Sequence, residues 1–113
     1  MHEASVMNRI VTIATRHARK GGARKVTKLV LQIGQMSDVI PEALRLVYQM
    51  CTEGTLLEGA AFEIESIPAR GRCGQCTNEY NLLEHEFKCP KCGGEKWEML
   101  TGRELLIKEL EVI

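Results

Sequence analysis

The spans Cys73-Gly74-Gln75-Cys76 and Cys89-Pro90-Lys91-Cys92-Gly93-Gly94, separated by residues 77–88, decide how this chain is read. Two residues between cysteines let both sulfurs point into one tight turn, and two such turns facing each other supply four thiolates in a tetrahedron. Gly74 and Gly93-Gly94 give the turns backbone freedom, and Pro90 stiffens the second. The pattern predicts a zinc ribbon on Cys73, Cys76, Cys89 and Cys92. Four thiolates leave no open coordination position, so this zinc is expected to be structural. Two alternatives use the same cysteines. Rubredoxin-like iron has the same ligand set, and a pair of disulfides would require an oxidising compartment, for which Glu3 and Arg9 sit where a secretory signal needs an apolar run.

At 113 residues the chain holds one modest core plus a metal-stapled insertion. Lys+Arg and Asp+Glu stand at 15 each, a formal net charge of zero, which argues against the nucleic-acid footprint common among zinc ribbons. No apolar run approaches the roughly 20 residues of a membrane span. The expectation is a soluble, cytoplasmic protein with no membrane and no nucleic-acid partner.

Outward from the cysteines, the periodicity resolves into few elements. Val6, Met7, Ile10, Ile13, Ala14 and Ala18 recur at helical spacing, with Arg16, Arg19 and Lys20 in the last turn and Gly21-Gly22 as the stop. Residues 26–33 alternate as a half-buried strand, with Thr27, Leu29, Leu31 and Ile33 predicted on the inner face. Pro41 opens a second helix whose Leu44, Val47, Tyr48 and Cys51 share a face, so Cys51 reads as a small buried hydrophobe. A strand over 60–67 follows, with Phe62 and Ile64 inward. A last strand starting at Gly102 carries Leu105, Ile107, Leu110, Val112 and Ile113.

The fold class expected is α+β: a small three-stranded sheet covered by two helices, with an inserted four-cysteine zinc-ribbon subdomain. The domains expected are 1–68 plus 101–113 and, between them, 69–100.

The chain opens Met1-His2-Glu3. The bulk of His2 should hinder removal of Met1. The Met1 amine, the His2 amide nitrogen and the His2 ring nitrogen can then close two fused chelate rings in a plane. Planar nitrogen donors suit Ni(II) or Cu(II) better than zinc, and Glu3 can add a donor. Asp38, in the loop 35–40, is a further candidate ligand, although a turn or cap role suits it better. His17 lies about 22 Å from His2 along the helix and cannot share its metal. His85, among Glu84 and Glu86, reads as a solvent-facing turn residue. No nucleophile–base pair or open zinc site can be placed, so no enzyme is expected.

Met1-His2-Glu3 opening a helix, together with Cys73/Cys76 and Cys89/Cys92 late in so short a chain, resembles the HypA/HybF family of nickel-incorporation proteins for [NiFe]-hydrogenase. The resemblance implies nickel on His2, with Glu3 and the Met1 amine assisting, and structural zinc on the four cysteines. It also implies delivery of Ni(II) to the hydrogenase large-subunit precursor alongside the GTPase HypB, service to urease maturation in some members, and room for a homodimer. The competing reading is a zinc-ribbon module that binds nucleic acid or protein, with His2 incidental.

Overall fold

The computed structural model describes residues 2–113. The elements run α1 (Glu3–Lys20), β1 (Val26–Gly34), α2 (Pro41–Thr52), β2 (Ala61–Ile67), β3 (Arg70–Cys73), β4 (Glu79–Asn81), β5 (Trp97–Thr101) and β6 (Leu105–Val112).

They build two three-stranded sheets. The first has the order β2-β1-β6, with β2 parallel and β6 antiparallel to the central β1. The parallel pair is joined through α2, because two parallel strands need a long crossover. β1 therefore has neighbours on both sides, and its Leu29, Leu31 and Ile33 face the helices at 2% exposure or less. Met7, Ile10, Val11, Ala14 and Ala18 of α1 and Leu44 of α2 close over them. Burying one such side chain fully contributes about 1.5–3 kcal/mol. Tyr48 of α2 stacks on Phe62 of β2 with ring centroids 4.3 Å apart. The opposite face of the sheet carries Lys28 amid the carboxylates of Glu63, Glu109 and Glu111.

The second sheet, β4-β3-β5, belongs to the cysteine stretch. Its strands were not expected from the sequence. They are short, and β5 continues to Thr101, where only the approach to the last strand was foreseen. That last strand begins at Leu105 rather than Gly102.

Three side-chain expectations need correction. Thr27 is exposed, because the β1–β6 register slips between Val26 and Lys28 and leaves Val26 buried instead. Ile13 is 41% exposed, facing a groove beside β6, while Val11 takes a core position. Cys51 is half-buried. It packs against the core with its Sγ 3.8 Å from the Ala4 carbonyl, and burial pushes its thiol pKa up.

The sheets meet at Gly34 and Gly102. A Cβ on Gly34 would lie 2.0 Å from the Gly102 carbonyl oxygen. Met36 N–H donates to that oxygen at 2.7 Å, and Ala69 N–H donates to Gln35 Oε1 at 3.0 Å. The loop after β1 thus runs beside the cysteine module, and Met36 packs on its core.

Candidate metal centres

β3 delivers Cys73 at its C-terminal end, and the chain turns at once through Gly74 and Gln75 to Cys76. Thr77, at φ 63°, completes the turn, with its N–H donating to the Cys73 carbonyl at 3.1 Å. Cys73 N–H donates to Asn78 and Gly74 N–H to Lys96, both at 2.8 Å, so the first knuckle hangs from the strands on either side. The second knuckle closes on itself: Cys89 N–H donates to Gly94 at 2.9 Å and Gly93 N–H to Cys89 at 2.8 Å. Gly93 sits at φ 76°. A Cβ on Gly94 would come within 2.7 Å of Gln75 Oε1.

The knuckles bring all four sulfurs within 4.8 Å of one another. The Cys73–Cys92 and Cys76–Cys89 sulfurs lie 3.5 Å apart. A tetrahedral centre with metal–sulfur bonds of about 2.3 Å has sulfur–sulfur edges of about 3.8 Å, so the donor set fits such an ion. A disulfide needs about 2.05 Å, and these cysteines are free.

Neighbouring donors point at the sulfurs. Gln75 N–H donates to Cys73 Sγ at 3.4 Å and Asn78 Nδ2 to Cys89 Sγ at 3.7 Å. At Cys89 burial opposes ionisation, but the N–H groups of Cys92 and Lys91 outweigh it and bring the thiol down to about 6. The N–H groups of Cys76 and Gln75 likewise lower Cys73. At Cys92 the Gly94 N–H favours the thiolate, yet the crowded sulfurs of Cys73 and Cys76 push it up to about 12. Gln75 and Asn78 were absent from the sequence-based candidates. Their only signal was position, inside the first knuckle and just after it.

Tyr80 and Leu82 lie beneath the cluster, and Phe87 packs on Trp97 at 5.6 Å. The Tyr80 hydroxyl is buried with no protein partner among the described residues. Basic side chains of the module are answered by acidic ones: Arg72 by Glu79 and Glu98, and Lys88 by Glu95.

At the other end of the chain, Met1 lies outside the described residues. His2 is exposed and extended (φ −86°, ψ 101°) at the cap of α1, and Glu3 is the first helical residue. The Glu3 carboxylate accepts from Ile40 N–H at 3.5 Å. That contact brings the loop carrying exposed Asp38 to the start of α1. Within the loop, Val39 N–H donates to Ser37 Oγ at 3.2 Å. His17 is exposed at the far end of α1. His85 is exposed beside the Tyr80 ring, at 6.0 Å between centroids. Neither is brought to the other candidates.

Against known proteins, residues 1–112 match the family described as hydrogenase/urease nickel incorporation, metallochaperone, hypA. The chain belongs to the HypA family. Relatives called hydrogenase maturation factor HypA include one from Geotalea uraniireducens, 43% identical over 112 residues and covering 99% of both chains. Another, from Nostoc punctiforme, is 45% identical over 112 residues, 99% of this chain and 96% of its own. The solution structure of the Ni metallochaperone HypA from Helicobacter pylori superposes with a TM-score of 0.70 at 24% identity, covering 100% of this chain and 98% of that one, a likeness of fold. No helix among the described residues is long and apolar enough to cross a membrane.

Proposed function

We propose that this HypA-family chain is a nickel carrier. Ni(II) is held at His2 and Glu3 with the Met1 amine, assisted by Asp38, and is passed to the large-subunit precursor of [NiFe]-hydrogenase. The GTPase HypB is its working partner, and urease maturation is a second destination. The chain works in the cytoplasm as a carrier, not a catalyst. It divides into 1–68 plus 101–113, which handles nickel, and 69–100, which folds around zinc on Cys73, Cys76, Cys89 and Cys92.

The observation that carries this reading is the exposed, extended His2 directly before α1, whose inner face is anchored in the core, beside a Glu3 carboxylate that reaches the Asp38 loop. An exposed site of nitrogen and carboxylate donors suits a borderline ion that must be released again, whereas buried thiolates suit an ion that stays. Family membership supports the cargo's identity.

The test is nickel titration of the zinc-loaded chain against His2→Ala and against a chain whose Met1 amine is acetylated. Both changes should weaken Ni(II) binding by about tenfold or more, the loss expected when a metal ligand or its close support is removed. Unchanged affinity in both would overturn the proposal. Metal analysis of the purified protein separates zinc from iron at the cysteines, and red colour would mark iron.

A further inference from the structure

The charges of this chain balance overall but not locally. Between Ala4 and Ser37 stand seven cationic side chains and no acidic one, and of the seven only Lys28 is ion-paired among the described residues. Three of the others, Arg16, Arg19 and Lys20, fall on one stripe of α1 with Thr12 and Thr15, because positions three and four apart share a helix face.

That stripe is one wall of a groove of about 690 Å3. The other wall is the turn after α2, at Gly54 and Thr55, and buried Val11 lies between them. Arg16, Arg19 and Lys20 are exposed, and Thr15 is half-buried. The hydroxyls of Thr12 and Thr55 already donate to the carbonyls of Asn8, at 2.9 Å, and Thr52, at 2.7 Å. Thr15 is thus the hydroxyl left to serve a ligand. The acids nearest in sequence are Glu53 and Glu58. Both are exposed, Glu58 accepts from Gly54 N–H at 3.2 Å, and neither pairs with a cation of the groove among the described residues.

Helix dipoles account for part of this charge. Arg19 and Lys20 lie in the last turn of α1, where cations are favoured. A helix C-terminus carries only about half a unit of negative charge, and its effect fades within a turn. Arg16 lies outside that turn, and three full cations leave a positive surplus even against the ends of both α1 and α2. Guanidinium forks match the oxygens of phosphate two at a time. Along the stripe the Cβ atoms stand about 5–6 Å apart, so the three cations converge best on a ligand with several anionic groups in a row. No aromatic ring lines the groove, so nothing there stacks on a base.

We propose that the groove between α1 and the turn after α2 binds the oligophosphate group of a small molecule. Arg16 and Arg19 grip phosphate oxygens, Lys20 adds charge and Thr15 donates a hydroxyl hydrogen bond. Arg16 lies about 20 Å along the helix from His2, so the inference stands apart from the metal the chain carries.

Isothermal titration calorimetry of the zinc-loaded, nickel-free chain tests this with inorganic tripolyphosphate as the probe. Tripolyphosphate should bind more tightly than citrate, and more weakly as chloride rises. ATP should bind within a few-fold of tripolyphosphate, since the phosphates alone are recognised. Arg16→Gln and Arg19→Gln should each weaken tripolyphosphate binding on the order of tenfold, the loss expected when charge-assisted hydrogen bonds are removed. Arg103→Gln, which removes the same charge from the exposed turn before β6, should leave it unchanged. Circular dichroism melts establish that each variant is folded. No binding by the native chain, citrate binding as tightly, equal losses in Arg16→Gln and Arg103→Gln, or ATP binding far more tightly than tripolyphosphate would each overturn the inference. So would a single-stranded oligonucleotide whose affinity grows with length beyond that of tripolyphosphate, which would make the stripe a nucleic-acid track.

Discussion

The Glu3 carboxylate accepts a hydrogen bond from the Ile40 main-chain N–H at 3.5 Å, tying the first turn of α1 to the cap of α2. Neither helix has a side-chain cap of its own. One carboxylate therefore lies near two helix N-termini, where negative charge is favoured.

Replacing that charge should separate its structural and metal-binding effects. Glu3→Gln keeps an acceptor for Ile40 N–H, while Glu3→Ala removes it. Urea unfolding of the nickel-free chain should show a loss of about 0.5–1 kcal/mol for Glu3→Ala and less for Glu3→Gln. Nickel titration should show weakened binding in both. Full nickel affinity in Glu3→Gln would confine the residue to capping.

The cysteine cluster sets a pH dependence. In the metal-free chain the Cys89 pKa of about 6 lies below the ordinary thiol value. Its thiolate thus stabilises the fold above that ordinary value, and the contribution is lost as pH falls through about 6. Cys92, at about 12, works the other way: its contribution is present below the ordinary thiol value and is lost as pH rises through about 12. Near neutral pH Cys89 is ionised and Cys92 is protonated. Zinc binding, measured by calorimetry in buffers of different ionisation enthalpy, should therefore release some protons but fewer than the number of thiols. Its affinity should weaken as pH falls through about 6.

Stripping the metal with a chelator should unfold the module locally. Trp97, the one tryptophan, lies in β5 against Phe87 and reports on it alone. Its emission should shift to the red, while the helical circular dichroism of α1 and α2, whose core lies elsewhere, should persist. Cys89→Ser should reproduce that state without chelator. Simultaneous loss of both signals would show one cooperative unit instead.

Gly34→Ala should lower stability by about 3 kcal/mol, because the added methyl would lie 2.0 Å from the Gly102 carbonyl oxygen, 2.1 Å from its carbon and 2.5 Å from the Arg103 nitrogen, all backbone, where no side chain can give way. Gly22→Ala is the control, with open space around its Cβ but φ at 75°; it should lose about 1 kcal/mol or less. Equal losses in the two variants, measured by urea unfolding, would show that the Gly34–Gly102 approach can relax.

Much of this was legible in the residues. Helical spacing from Val6 to Ala18 placed α1, Pro41 placed the start of α2, and the alternation in 26–33 and 60–67 placed β1 and β2, because a repeating apolar face is a local property of the chain. The two Cys-x-x-Cys turns were legible for the same reason. What escaped depends on distant partners. Thr27 and Ile13 obey their periods yet face outward, one because the register with β6 slips and the other because no described residue covers the edge of the sheet beside α1. The strands β3, β4 and β5 were missed because each is too short for alternation to be read without its neighbours.

The sequence by itself determined α1, α2, β1 and β2, the four-cysteine pattern and the His2-Glu3 opening, since each rests on spacing within a few residues. Only the tertiary structure decided that β1 is the central strand, that the loop after it meets both the cysteine module and Glu3, and that Gln75 and Asn78 turn toward the sulfurs. Those are contacts between residues far apart along the chain. They are set by which faces can be buried together and which backbone groups can approach, and no local period records that.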